Sequence, residues 1–209
     1  MARLKILFRD RDLIVIHKPS GMKTYRDSKK ETELSAYDVL KKQFVEAQIY
    51  PVHRLDRGTC GLLIFALKPD VANLMQKAFR EEKVRKTYWA LVWGDPSARG
   101  EWKKPLEAKE KEKDGEKDAR GGTQRALTKF RTRGRFETDS GEEGVSGRKF
   151  SWIECEPKTG RLHQIRRHAS EAGFPLVGDD EYSTAELKKA SAEFKLKRIA
   201  LSAIRLEFM

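Results

Sequence analysis

Short apolar runs broken by charged turns dominate the chain, and they predict more strands than helices. Leu4-Lys5-Ile6-Leu7-Phe8 and Leu13-Ile14-Val15-Ile16-His17 read as two strands joined by Arg9-Asp10-Arg11-Asp12. The second run is nearly continuous in apolar and β-branched residues, the mark of a buried strand. Lys18-Pro19-Ser20-Gly21-Met22 then breaks the chain in a turn. Ser35 suits a helix N-cap, with Tyr37, Leu40 and Phe44 on one helical face. Leu62-Leu63-Ile64-Phe65-Ala66-Leu67 reads as another buried strand. Lys68-Pro69-Asp70 opens a helix with Val71, Leu74, Met75, Ala78 and Phe79 at amphipathic spacing. Thr87–Trp93, Gln124–Phe130 and Phe150–Glu156 predict three more strands, with a glycine-containing hairpin loop at 133–148. A helix over Arg161–Ala172 that Gly173 ends, with Leu162, Ile165 and Ala169 towards the core, a short helix over Thr184–Lys195 and a strand over Ile199–Phe208 complete the pattern. Strands that outnumber helices, without an internal repeat, predict an α+β fold with a largely antiparallel sheet.

A chain of 209 residues suits a single domain, 1–209, with a real hydrophobic core. Residues 103–122 differ from the rest. Lys109 to Asp118 alternates in sign without a large apolar side chain, which predicts a solvated loop or arm. The net charge of +12 points to a polyanionic partner such as nucleic acid. Cys60 and Cys155 are the only cysteines, and they form no Cys-x-x-Cys pair, so neither a zinc site nor a disulfide framework is expected. No leader segment and no apolar run of membrane-spanning length stands out, which predicts a cytoplasmic protein without a membrane partner.

The densest chemistry lies in His53-Arg54-Leu55-Asp56-Arg57-Gly58-Thr59-Cys60-Gly61. Asp56 sits between two arginines, and nearby cations favour its carboxylate form. A glycine-rich turn and a buried strand follow it. A loop salt bridge explains such an acid as readily as catalysis does when the segment is read alone.

Two further groups carry chemistry. In Thr159-Gly160-Arg161-Leu162-His163-Gln164-Ile165-Arg166-Arg167-His168, residues 163 and 166 are three apart and share a helical side, so Arg166 can project from a rigid element. His163 and His168 are five apart and share no face, which argues against a metal pair. In Lys86-Thr87-Tyr88, strand alternation puts Lys86 and Tyr88 on one face, where a tyrosine can stack on a base.

Together, in this order and spacing, these segments resemble the RluA-type RNA pseudouridine synthases. The resemblance rests on His53-Arg54-Leu55-Asp56 with Thr59, Gly61, Leu62 and Leu63. It extends to Lys18-Pro19-Ser20-Gly21, to Lys86-Thr87-Tyr88-Trp89-Ala90-Leu91-Val92, to Gly160–Arg166, and to Gly173–Asp179 with Tyr182. It implies a pseudouridine synthase fold, α+β, with a mixed, mainly antiparallel central sheet, flanking helices and a catalytic cleft. It implies conversion of uridine to pseudouridine in structured RNA, tRNA or ribosomal RNA, without cofactor or metal. Asp56 matches the essential catalytic acid, Tyr88 the active-site tyrosine, and Arg166 the arginine that pairs with the aspartate. Arg54 matches a residue that enters the space left by the extruded nucleotide. His53, Arg57, Lys86, Arg161, His163 and Gln164 are the further RNA-contact candidates. Cys60 and Leu162 depart from the family's usual Ser and Thr.

A flipped uridine must leave its stack before its C5 or C1′ can be reached, at a cost of a few kcal/mol that phosphate contacts can offset. A monomer with no separate N-terminal RNA-binding domain is expected. The competing reading is a non-catalytic RNA-binding protein on the same fold, and the presence of Asp56, Tyr88 and Arg166 argues against it.

Overall fold

A computed structural model describes residues 3–28, 31–107, 112–113, 116–117, 122–138, 147–194, 196 and 198–208. The expected loop at 103–122 and part of that at 133–148 therefore fall largely outside the described residues. Two compact units emerge: residues 1–86 with 201–209, and residues 87–200.

The first unit contains β1 (Lys5–Arg9), β2 (Leu13–Lys18), α1 (Ala36–Gln43), β3 (Tyr50–Pro51), β4 (Cys60–Ala66), α2 (Pro69–Arg80), the start of β5 (Val84–Trp93) and, from the far end of the chain, β13 (Leu201–Phe208). β2 lies antiparallel between β1 and β4, and β13 runs parallel to β4. β4 is buried almost throughout, because β2 and β13 flank it and α2 packs against it. Ile14 and Ile16 of β2 and Leu63, Phe65 and Ala66 of β4 are completely buried. Ser35 caps α1 as expected. Its Oγ accepts from Asp38 N, and the Asp38 carboxylate accepts from Ser35 N at 3.0 Å, a reciprocal capping box. Pro69 occupies the first turn of α2. The amphipathic reading of α2 needs one correction: Ala72 and Met75 are the buried positions, and Leu74 is 69% exposed.

The second unit contains the rest of β5, then β6 (Arg99–Trp102), β7 (Leu106–Glu107), β8 (Glu112–Lys113), β9 (Glu116–Lys117), β10 (Thr123–Gln124), β11 (Thr128–Glu137), β12 (Lys149–Pro157), α3 (Gln164–Glu171) and α4 (Ala185–Glu193). Its sheet runs β5-β12-β11-β6, every pair antiparallel. Along β12, Ser151, Ile153 and Cys155 are completely buried and the residues between them are not, the alternation expected of a strand with one face covered. β7 pairs with β10, and β8 with β9. Thus described parts of the 103–122 segment form short strands, and Leu106 is buried. The strands are mixed and mainly antiparallel, with β4–β13 the parallel pair, in keeping with α+β.

Candidate active site

In the first unit, Asp56 sits on the tight turn that leads into β4. Thr59 N donates to Asp56 O at 3.1 Å and closes that turn. Residues 18–24 hold it from outside. Thr24 Oγ1 donates to Leu55 O and accepts from Leu55 N, at 3.1 and 3.0 Å. Gly21 N donates to Arg57 O at 2.8 Å, and Ser20 Oγ donates to Gly58 O at 2.7 Å. Lys18 is completely buried, and its ammonium donates to the carbonyls of Pro19, Met22 and Arg57 at 3.0, 2.6 and 3.3 Å. Burial lowers the Lys18 pKa to about 8, against the opposing pull of Cys60 and Asp56. Main-chain groups on both sides of Asp56 are thus pinned, while its half-buried carboxylate is left to the side chain's own chemistry.

β4 anchors the turn from behind. Gly61 adopts φ +110°, a conformation that side chains resist, and a Cβ there would collide with the Ala203 carbonyl on β13. Cys60, the departure from the family's Ser, donates its thiol to Leu201 O at 3.4 Å and stays buried.

His53, an RNA-contact candidate of the sequence, packs against its own unit. Its Nε2 accepts from Ile64 N at 3.1 Å, so its proton sits on Nδ1, and its ring stacks on Phe79 at 4.6 Å. Burial first, and Lys86 second, push its pKa down to about 3, so it stays neutral. His53 ties the Asp56 segment to β4 and α2. Arg54 is exposed and lies over the Tyr25 ring, 5.3 Å from its centroid. Arg57 is exposed too, held by Gly21 O at 2.9 Å and Glu33 at 2.8 Å. Lys86 lies on the part of β5 that belongs to this unit and is half-buried.

Tyr88 and Arg166 belong to the second unit, where Tyr88 is half-buried on β5. The segment before α3 departs from the expected helix. His163 takes a left-handed conformation (φ 51°), and α3 starts only at Gln164. Helical spacing therefore misplaces Leu162, which is 40% exposed, whereas Ile165 and Ala169 are buried as expected. Gln164 is held by internal hydrogen bonds. Its amide oxygen accepts from Thr159 Oγ1 and Arg161 N, and its amide nitrogen donates to Leu127 O and Thr128 Oγ1, all within 3.0 Å. All four hydrogen-bonding positions are thus taken up in shaping the α3 entry. Arg161 is exposed and donates to Arg125 O at 3.1 Å.

Arg166 projects from α3 into a cradle made by residues 179–182. Its Nε and Nη2 donate to the two oxygens of Asp179 at 2.8 and 2.7 Å, and Nη2 also meets Glu181 at 3.3 Å. The Tyr182 ring lies 4.8 Å from its guanidinium carbon. His163 reaches the same segment, with Nδ1 at 3.0 Å from Tyr182 Oη and 3.3 Å from Glu181. Burial first, then a hydrogen bond with Glu181, raises the Tyr182 pKa to about 12. Asp179 lies in a segment that carried the resemblance, yet its partnership with Arg166 had no local sequence signal.

A carboxylate on a rigid turn can serve as nucleophile or base. Among the described residues, no group of three or more His, Cys, Asp or Glu side chains is placed to hold a metal ion, and no helix is long and apolar enough to cross a membrane.

Comparison with known proteins places the arrangement in a family. A family model for RNA pseudouridylate synthase matches residues 12–171. The chain is 35% identical to tRNA pseudouridine synthase C of Haemophilus ducreyi over 98% of this chain and 85% of that one. It is 33% identical to the Vibrio cholerae protein of the same name, over 99% and 85%. Among solved structures, Human RNA Pseudouridylate Synthase Domain Containing 1 aligns with a TM-score of 0.77 at 25% identity, over 99% of this chain and 78% of that one. Human RNA Pseudouridylate Synthase Domain Containing 4 aligns at 0.70 and 27%, over 97% and 83%. By motif order, fold and full-length similarity, the chain belongs to the RNA pseudouridylate synthase family, enzymes that isomerise uridine in RNA to pseudouridine.

Proposed function

We propose that Asp56 is the catalytic carboxylate of this synthase, that Tyr88 and Arg166 act in the same reaction, and that the modified uridine lies in transfer RNA. The observation that carries the reading is the Asp56 turn. Hydrogen bonds from Lys18, Ser20, Gly21 and Thr24 hold its main chain, and none of them uses the Asp56 carboxylate. Precise main-chain support around one acid is what a group that must meet a sugar or base needs.

The isomerisation breaks the N1–C1′ bond, forms a C5–C1′ bond and moves the C5 proton, so atoms and electrons balance without a redox cofactor. Asp56 supplies the carboxylate. Tyr88 supplies a stacking surface for the flipped base, Arg166 a fixed cation, and Arg54 the side chain that fills the vacated stack. The name shared by the curated relatives favours tRNA over ribosomal RNA as substrate. The net charge of +12 suits binding of either polyanion. The enzyme acts as a cytoplasmic monomer on this reading.

The test is pseudouridine mapping in RNA from cells that carry wild-type protein, Asp56→Asn protein or none. One or more tRNA positions should depend on the wild type and disappear with Asp56→Asn, a rate loss of about 10³-fold or more. Wild-type levels of modification with Asp56→Asn would falsify the catalytic assignment. Dependence confined to ribosomal RNA would overturn the choice of substrate.

A further inference from the structure

Arg166 is held more tightly than charge balance alone requires. Asp179 engages it along the Nε/Nη2 edge, two parallel hydrogen bonds that fix the plane of the guanidinium as well as its position. The Asp179 side chain is completely buried, and that of Arg166 is 12% exposed. Asp179 is itself fixed. Its Oδ1 accepts from Glu181 N at 3.0 Å and Tyr182 N at 3.1 Å, in addition to Arg166. Tyr182 lies against the guanidinium, and its carbonyl accepts from Ser170 Oγ at 2.6 Å on α3, the helix that carries Arg166.

These contacts converge on one consequence. With the Nε/Nη2 edge turned to Asp179, Nη1 is the nitrogen that faces away from it. We infer that Asp179 is a positioning residue for pseudouridine formation, whose buried carboxylate sets the direction in which the Arg166 guanidinium acts. The inference rests on the assignment of Arg166 to the reaction. A lysine could not replace Arg166 in this arrangement, because an ammonium has no plane to orient and no edge to divide between two anions. The Asp179 carboxyl is also held below its ordinary range. Burial opposes ionisation, but Arg166 and the two main-chain N–H groups outweigh it, so the pair stays charged at neutral pH.

The experiment follows tritium release from RNA labelled at uridine C5, prepared from cells that lack the protein. It compares kcat and KM for wild type, Asp179→Asn, Arg166→Gln and the double variant, with a thermal melt of each. Asp179→Asn keeps the shape and an acceptor for the main-chain N–H groups but removes the charge. It should lower kcat about tenfold or more with KM changed less than threefold. In the Arg166→Gln background the same substitution should change kcat less than twofold, because its effect passes through Arg166.

A wild-type kcat for Asp179→Asn, beside an impaired Arg166→Gln, overturns the inference and leaves the role of Arg166 standing. A wild-type kcat for Arg166→Gln instead removes the assignment on which the inference rests. A full additional loss in the double variant shows that Asp179 acts independently and also overturns it. If Asp179→Asn shows no cooperative melt, Asp179→Glu carries the comparison. Its carboxylate is displaced by one methylene, so kcat should fall about fivefold at unchanged KM, and a wild-type kcat there counts against the inference.

Discussion

The two regions that carry the proposed chemistry are built by opposite means. Around Asp56, the clamps are hydrogen bonds to main-chain carbonyl and N–H groups, supplied by residues 18–24. Around Arg166, the clamp is ionic, a bidentate carboxylate with a second acid beside it. The difference fits what each group must do in the proposed reaction. An acid that reacts must keep its own oxygens available, so its main chain is held instead. A cation that acts by direction has to be gripped by its side chain, and only a planar, multidentate partner can do that. Each region is accordingly fragile in its own way.

The largest effect should come from Gly61→Ala. A Cβ there strikes the Ala203 main chain and the residue needs positive φ, so the substitution should cost about 4 kcal/mol or prevent folding of the first unit. Denaturant melts check it, and a loss under 1 kcal/mol would show that β13 yields.

Asp179→Asn should come next, at about 3 kcal/mol at neutral pH, because it leaves the Arg166 charge without its main partner. The pH dependence has a definite sign. The folded pKa lies below the ordinary value of 3.8, so the carboxylate's contribution is complete above that value and drains away as pH falls through the folded pKa. The stability gap between wild type and variant should therefore narrow below pH 3.8, as denaturant midpoints measured down the acid range will show.

Lys18→Met should cost about 2 kcal/mol by removing the Lys18 hydrogen bonds to the Pro19 and Met22 carbonyls, while Arg57 O keeps its bond from Gly21 N. Its pH signature lies at the other end of the scale. With a pKa lowered from 10.5 to about 8 in the fold, the unfolded chain binds more protons between those values, so wild-type stability should rise there relative to the variant, by up to about 3 kcal/mol. A pair of pH–stability curves that bend at the same end would erase the distinction between the two regions. Ser20→Ala is the mildest cut, about 1 kcal/mol for one hydrogen bond to Gly58 O, with kcat reporting how much the Asp56 turn loosens.

Much of this was legible before any coordinates. The β2 run, the Ser35 cap, the Pro69 helix entry and the β12 alternation announce themselves, because each depends on neighbours within a few residues. The motif segments likewise give the family, from which the roles proposed for Asp56, Tyr88 and Arg166 come. Periodicity misled where an element ends or turns. The left-handed His163 shifts the start of α3 and exposes Leu162, and Leu74 points away from the core because α2 buries a narrower stripe than its sequence offers. Polar residues were harder still. Nothing local to His53 or Gln164 states their partners, Ile64 and Phe79 for one and Thr159 to Thr128 for the other.

The amino-acid order alone thus determined most of the elements, the α+β class and the family, because these are written in short-range spacing and in motif order. Tertiary structure decided which partners the polar groups meet. Lys18 becomes a buried clamp, Gly61 a point of contact with β13, and Asp179 the partner of Arg166 from thirteen residues away. The physical reason is that a hydrogen bond or ion pair depends on distance and direction in space, and nothing in a polar residue's local sequence states what the fold will bring against it.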